Sequence, residues 1–254
     1  MKKQRILISN DDGVNAKGLK ELIEVALKFG EVTVVAPEQG MSGMSHSITM
    51  NQPLYLRKVQ ETENCRIFAC EGTPVDCINL AVDVVMEEMP TIILSGINHG
   101  ANSNISVIYS GTMGAATEGA AYSVPSIGFS VTTHDEDADF EASKHYAEII
   151  IRSIIENNDN KNLCLNVNIP DIPLSEIKGI KTCRQTKGYW KEDFLRHSNP
   201  RGKEYYWFKG KFLNQEPLAT DTDEWALDNK YVAIVPVKVD MTDYSQLEKT
   251  KNWF

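Results

Sequence analysis

Short runs of β-branched and leucine residues alternate with stretches of helical period through most of this chain. That alternation restricts the fold more than any other feature. Arg5–Ser9 is a compact apolar run that stops at Asn10-Asp11-Asp12-Gly13. Beyond it, Leu19, Leu22, Ile23, Ala26 and Leu27 recur at the spacing that collects apolar side chains on one helix face, and Gly30 closes the segment. Glu31–Ala36 reads as the next strand, ended by Pro37. A strand–helix–strand unit of this kind pairs its strands in parallel through a right-handed crossover. The pattern continues with strand Arg66–Cys70, helix Val75–Glu88, strand Thr91–Leu94, helix Met113–Tyr122, strand Ser126–Val131, helix Phe140–Glu156 and strand Leu163–Ile169. It predicts an α/β protein with a doubly wound, mostly parallel sheet.

The composition shifts at Pro170–Pro173, so residues 1–173 read as the α/β core and 174–254 as an extension packed on it. The extension is β-rich and aromatic, with strand-like pieces at Glu204–Lys209 and Tyr231–Val237 and a last helical stretch at Tyr244–Lys251. Its Tyr205, Tyr206, Trp207 and Phe208 offer a platform for a nucleobase, although core or interface filling is the commoner use of such a cluster. Exchange of the extension between subunits is a further expectation. The acidic stretch His134–Asp139 reads as a solvated loop.

A chain of 254 residues, 42% of them hydrophobic, buries a substantial core without disulfide or metal staples. The net charge of −9 argues against a grip on duplex nucleic acid, whose affinity rests on basic contacts to phosphate. It leaves room for a single nucleotide, or for a phosphate met through a metal ion. The start, Met1-Lys2-Lys3-Gln4-Arg5, runs into only Ile6-Leu7-Ile8, too short for a signal-peptide core. No apolar run approaches the roughly 20 residues that span a bilayer. A cytoplasmic protein that does not enter membranes is expected. The five cysteines (Cys65, Cys70, Cys77, Cys164 and Cys183) are odd in number and lack C-x-x-C spacing, which fits reduced, structural thiols.

Ligands of open α/β sheets bind beyond the carboxyl ends of the strands, so the polar residues after each strand are the candidates. These are the Asn10–Gly13 turn, the stretch from Pro37 through Ser42 and Gly43, the stretch from Ser95 through Asn98 to Asn102, and Tyr109–Gly114. Adjacent residues of a strand point to opposite faces. Asp11 and Asp12 can therefore serve one site only if the strand has already ended, and Gly13 suits the tight turn this needs. Two neighbouring carboxylates repel unless a cation lies between them or one keeps a proton. Hard divalent ions take carboxylate, amide and hydroxyl oxygens, which Ser42 and Asn98 can add. The alternative is that the pair simply caps the following helix; the three companion turns favour the metal. Ser110-Gly111-Thr112 at a helix start is a candidate phosphate cradle, although a serine there is commonly just an N-cap. His46 stands near the second turn, where it could give a proton to a leaving group, whereas His99 reads as structural.

The negative findings are also informative. There is no G-x-x-x-x-G-K-[ST] loop, no G-x-G-x-x-G after the first strand and no H-E-x-x-H. Nucleoside-triphosphatase motor chemistry, dinucleotide oxidoreduction and a zinc protease site are disfavoured.

The segments ISNDDG, APEQGMSGMSHSIT, EGTPVDC, LSGINHGAN and YSGTMGAA, followed by NPRGKEYYW, DTDEWAL and MTDY, occur in this order along nearly the whole chain. The ordered set resembles the survival protein E (SurE) family. The resemblance implies a Rossmann-like sheet with a C-terminal extension exchanged in homodimers or homotetramers. It also implies a phosphatase that hydrolyses nucleoside 5′-monophosphates with one divalent ion, Mg²⁺ or Mn²⁺, per subunit; some members accept 3′-nucleotides or short polyphosphate. The family's metal ligands fall on Asp11, Asp12, Ser42 and Asn98. Its phosphate-binding positions fall on Asn102, Ser110, Gly111 and Thr112, with Gly43 nearby. In this chain Gly40-Met41 stands before Ser42 where many members carry a basic residue. Ser103-Asn104-Ile105-Ser106 replaces a common Leu-Gly-Asp-Asp, and Met113 replaces a usual Val. Asp11 or Asp12 would orient or deprotonate the attacking water. An aspartyl-phosphate intermediate is disfavoured, because the carboxylates are adjacent rather than spaced D-x-D. The other classes left open are a polyphosphatase and a nucleotide or metal sensor without turnover.

Overall fold

Ile6, Leu7 and Ile8 are fully buried although their side chains alternate between two faces, the signature of a parallel strand covered on both sides. They belong to β1 (Gln4–Ser9), an interior strand of a nine-stranded sheet. A computed structural model describes residues 3–135, 137–157 and 162–254. After β1 come α1 (Lys17–Ala26), β2 (Gly30–Pro37), β3 (Leu56–Glu61), β4 (Cys65–Cys70) and α2 (Pro74–Leu80). Then follow β5 (Ile92–His99), α3 (Gly111–Ala121), β6 (Ser126–Val131), α4 (Glu141–Glu156) and β7 (Cys164–Ile169). The remainder forms β8 (Ile180–Thr182), β9 (Gly188–Ser198), β10 (Glu204–Asn214), α5 (Asp223–Asp228), β11 (Val232–Val237) and α6 (Tyr244–Thr250).

The strand order is β3-β4-β2-β1-β5-β6-β7-β11-β8. All neighbours run parallel except the β3–β4 and β7–β11 pairs. Helices α1 and α4 cover one face, where Leu19, Leu22, Ile150 and Ile151 pack against Ile6, Ile8 and Leu94. On the other face, α2 and α3 bring Ile78, Cys77 and Ala115 against Leu7, Val35 and Ile93. The fold is therefore the expected α/β, Rossmann-like, doubly wound arrangement with a β-rich C-terminal part.

Several boundaries differ from the sequence expectation. Helix α2 widens by one turn over Ala81–Val85 and gives way to extended backbone at Met86, so Glu87 and Glu88 lie outside it. Gly30 opens β2 rather than closing α1, and Leu27 is exposed at the helix end. Strand β5 runs on to His99 through a register shift between Ser95 and Asn98. The polar stretch expected as a turn is thus the bulged end of a strand. Within the acidic loop, Glu136 lies outside the described residues.

Past residue 173, β11 and β8 join the core sheet through β7, while β9 and β10 form a separate antiparallel ribbon. Tyr205, Tyr206, Trp207 and Phe208 are all exposed on that ribbon, so they do not fill the core of their own chain. The five cysteines are free and buried. Burial pushes the Cys164 thiol up to about 12, and burial together with the Asp223 charge takes Cys183 to about 11. Such thiols are not nucleophiles near neutral pH. Among the described residues no helix is long and apolar enough to cross a membrane.

The α1–β5 contact tolerates no side chain at Gly18, where a Cβ would sit 2.0 Å from the Ile97 carbonyl oxygen. Gly18→Ala is expected to push α1 off the β5 bulge at a cost of about 1–3 kcal/mol, as overpacking does. For a domain this size each kcal/mol lowers the thermal midpoint by roughly 2–4 °C. Scanning calorimetry reads the shift; an unchanged midpoint would mean that the helix seats without this close approach.

Candidate active site

Chain connections run from β1 toward β2 on one side, while β5 leads to β6 on the other, so the crossovers diverge between β1 and β5. That switch point is where open α/β sheets leave a crevice at their carboxyl edge. The turn leaving β1 is closed by Asn10, whose side-chain amide donates to the Gly13 carbonyl (3.0 Å) and whose oxygen accepts from the Gly13 N–H (3.3 Å). Gly13 has φ +100°, a conformation side chains avoid, and packs under Gln39 of the next loop. The aspartate pair does not cap α1. The cap position is Ala16, without a side-chain hydrogen bond.

Asp11 instead lies against the first turn of α3. The residue is 4% exposed, and its carboxylate accepts a 2.5 Å hydrogen bond from the Thr112 hydroxyl. A Cβ on Gly111 would come within 2.8 Å of the Asp11 Cβ and 3.0 Å of its Oδ2, so the glycine is required by Asp11 itself. Burial pushes the Asp11 carboxyl up to about 6, with the Thr112 hydroxyl opposing the rise and the Asp12 charge adding to it. Asp12 turns toward β5, where its Oδ2 accepts from the His99 N–H (3.2 Å) and stands 3.5 Å from the His99 Nδ1. The His99 ring packs edge-on against Phe140 at 5.3 Å, and its Nε2 is buried with no hydrogen-bond partner among the described residues.

Ser42 and Gly43 arrive on the loop after β2. The Met41 N–H donates to the Asp11 carbonyl at 2.7 Å, which fixes the loop to the aspartate turn. Farther along, the Ser45 N–H and Oγ donate to the carbonyls of Tyr109 (3.1 Å) and Ile108 (2.6 Å), and seat the loop beside the α3 start. His46 is not among the residues lining the cavity that these elements enclose; its Nε2 pairs with Glu118 at 2.6 Å and its Nδ1 with Thr117 at 3.0 Å. These contacts make His46 an anchor between the loop and α3. The EGTPVDC segment is also an anchor. Thr73 and Asp76 form a reciprocal cap on α2, and their side chains hold the Ser47 carbonyl and the Thr49 N–H.

Asn98, just beyond the β5 bulge, donates its amide to the Gly100 carbonyl at 2.6 Å, which leaves its amide oxygen for another partner. Asn102 is embedded in a buried polar network. Its N–H donates to Asn168 Oδ1 (2.7 Å), its side chain donates to Ser130 (2.9 Å), and its carbonyl accepts from Asn166 (2.8 Å). The Ser110 hydroxyl accepts from the Met113 N–H at 3.0 Å, an N-cap that leaves the Gly111 N–H at the open helix start, while the Thr112 backbone, like its hydroxyl, holds the Asp11 carboxylate.

These elements enclose a cavity of about 520 Å³ lined by Asp11, Ser42, Gly43, Asn98, Asn102 and Ser110, together with Trp190 and Phe208 of the ribbon. Asp12, Gly111 and Thr112 stand beside this wall, in contact with residues that form it. A larger cavity of about 700 Å³ is lined by Phe29, Arg152 and residues at the amino ends of β1 and β2. Among the described residues it has no carboxylate in its wall.

Three contributors escaped the sequence reading. Asp223 is fully buried and Glu224 follows it on α5; between them they accept hydrogen bonds from the Asn104 N–H (2.8 Å), the Asn104 side chain (2.8 Å) and the Ser103 hydroxyl (2.6 Å). The segment that departs from the family's Leu-Gly-Asp-Asp is thus held by the C-terminal part of the chain. Trp190 is the third, with its indole N–H on Ser106 at 3.0 Å. The acidic opening of DTDEWAL was a visible signal for the first two; nothing local marked Trp190.

The donors offered by Asp11, Asp12, Ser42 and Asn98 are all oxygens, and a buried carboxyl pushed upward beside a second carboxylate is the situation a cation relieves. Oxygen donors of this kind suit a hard divalent ion; among the described residues no group of three or more His, Cys, Asp or Glu gathers.

Fold and site together define a doubly wound α/β protein with an acidic pair and a capped helix start at its switch point. The chain belongs to the survival protein SurE family, whose model matches residues 6–192. Over its full length it is 45% identical to the 5′-nucleotidase SurE of Flavobacterium psychrophilum, covering 98% of that protein. It is 43% identical to the 5′-nucleotidase SurE of Caldanaerobacter subterraneus, again over all of this chain and 98% of the relative. The crystal structure of the SurE protein from Aquifex aeolicus superimposes with a TM-score of 0.84 at 35% identity, over 98% of this chain and 99% of that one.

Proposed function

We propose that this chain is a phosphoric monoester hydrolase that cleaves nucleoside 5′-monophosphates to nucleoside and phosphate, with one Mg²⁺ or Mn²⁺ per subunit. The observation that carries the reading is the placement of Asp11 between Asp12 and the first turn of α3, in the wall of a cavity that also holds aromatic rings. Full-length relatives that bear the name 5′-nucleotidase support it. Asp11, Asp12, Ser42 and Asn98 would hold the ion. When bound, it neutralises the acidic pair and polarises a phosphoryl oxygen.

The chain's own groups do the rest. The Gly111 N–H, with Ser110 and a spare amide hydrogen of Asn102, faces the charge that grows on the phosphoryl oxygens, while Thr112 keeps Asp11 in place beside them. Asp11 has Oδ1 engaged by Thr112 and acts mainly in holding the turn. Asp12 is anchored through Oδ2 alone and keeps Oδ1 to orient a water and take its proton. The water oxygen bonds to phosphorus as the P–O5′ bond breaks. The ester oxygen leaves with the electron pair and is protonated from solvent.

Residues 1–173 carry this site as the catalytic core. Residues 174–254 complete it and, through the exposed aromatic ribbon, join copies of the chain into a homodimer or homotetramer in the cytoplasm. Phosphate release is to be measured from AMP, GMP, 3′-AMP and a polyphosphate length series, with each ion and with EDTA. The 5′-monophosphates are expected to turn over fastest, with activity lost in EDTA and restored by Mg²⁺ or Mn²⁺. Nucleotide binding without release under every ion would favour a sensor. Polyphosphate outrunning all monophosphates would favour the polyphosphatase.

A further inference from the structure

We infer that Trp190 is the stacking platform for the nucleobase, with Phe208 beside it; this deepens the nucleotidase reading above and rests on it. The cavity that contains Asp11, Ser42 and Ser110 also has Trp190 and Phe208 in its wall, so the polar phosphate end and an aromatic surface share one enclosure of about 520 Å³. That volume lies within the roughly 300–1,000 Å³ of small-molecule sites.

The indole is held in place rather than loosely draped. Its N–H donates to Ser106 Oγ at 3.0 Å, and that hydroxyl donates onward to Asn104 Oδ1 at 3.1 Å. Asn104 is in turn gripped by Asp223 and Glu224. The ring therefore takes its position from the same loop that carries Asn102, and aromatic surface and phosphate turn keep a fixed relation. Phe212 supports the indole at 6.3 Å and a tilt of 60°. A Cβ at Gly210 would lie 3.0 Å from Cε3 of the indole, so the neighbouring strand leaves the ring its space. Phe208 is steadied by an edge-on contact with Phe194 at 5.7 Å.

With its one polar hydrogen already satisfied, the indole offers ring surface and no donor to what enters the cavity. A flat heterocycle gains by stacking on such a face whatever its edge groups. The recognised class is therefore a phosphomonoester bearing a planar aromatic base, selected by stacking.

The test compares kcat/KM for AMP with that for ribose 5-phosphate, which keeps the ester and lacks the base. Wild type should favour AMP. Trp190→Ala is expected to lower the AMP to ribose 5-phosphate ratio about tenfold, the size of one lost base–aromatic stack. Trp190→Phe should recover most of that ratio, which also guards against an alanine variant that fails to fold. A ratio unchanged in both variants, or equal losses on both substrates, would overturn the platform while leaving the hydrolase intact. Wild-type protein that releases phosphate from neither compound would remove the hydrolase reading itself.

Discussion

Asp12→Ala is expected to lower phosphate release from AMP by about a thousandfold or more, in line with the roughly 10²–10⁴ contributed by a positioned general base together with loss of an ion ligand. The side chain is only 18% exposed, yet its hydrogen bond is to the backbone of His99, and alanine fits the space it leaves. The fold should therefore survive, and the far-ultraviolet circular dichroism spectrum should match wild type. Loss of Asp12 leaves Asp11 as the sole carboxylate of the pair, with Oδ1 engaged by Thr112. Steady-state kinetics over a range of Mn²⁺ concentrations is the check. Activity equal to wild type would remove Asp12 from the chemistry altogether.

Asp223→Ala is expected to have the largest effect on stability among single changes near the site. The carboxylate is wholly buried and accepts from the Asn104 N–H (2.8 Å), the Thr186 N–H (2.9 Å), the Thr186 hydroxyl (2.5 Å) and the Glu224 N–H (2.9 Å). A buried donor stranded without an acceptor costs about 1–3 kcal/mol. Relaxation and incoming water recover part of that sum, so a net loss of roughly 3–5 kcal/mol is expected, comparable with breaking a buried charged cluster. The urea midpoint reads it directly. Activity should fall as well, because the loop between Asn102 and Ser110 loses its outer hold. A urea midpoint unmoved from wild type would show that the Asn104 and Thr186 backbones find other partners at no cost.

The parallel core was legible because each strand from β1 to β7 other than β3 is apolar on both faces or bounded by sharp turn residues. Ile6–Ile8, Val32–Ala36 and Ile92–Leu94 could scarcely lie anywhere but inside. Strand β3 was not read, since Leu56–Glu61 is almost wholly exposed and shows no apolar alternation. Helix α5 has six residues, too few for a period to register. Asp11, Ser42, Asn98 and Ser110 were found together because topology alone sends the ends of β1, β2 and β5 and the start of α3 to one edge. What lay beyond reach were contacts set by distant pairing. Asp223 meets Asn104 across more than a hundred residues, and Trp190 reaches Ser106 only because β9 folds back over the cavity. The role of Gly111 was legible in kind but not in partner: the group that crowds it is a carboxylate of the protein.

The entry of β11 beside β7, with Asp223 and Glu224 just ahead of it, carries a consequence for synthesis on the ribosome. A nascent chain whose first two hundred residues have emerged possesses the acidic doublet and the helix-start turn, but not the carboxylates that pin the intervening loop. The loop between Asn102 and Ser110 therefore gains its outer hold last, when the final portion of the chain threads back into the sheet.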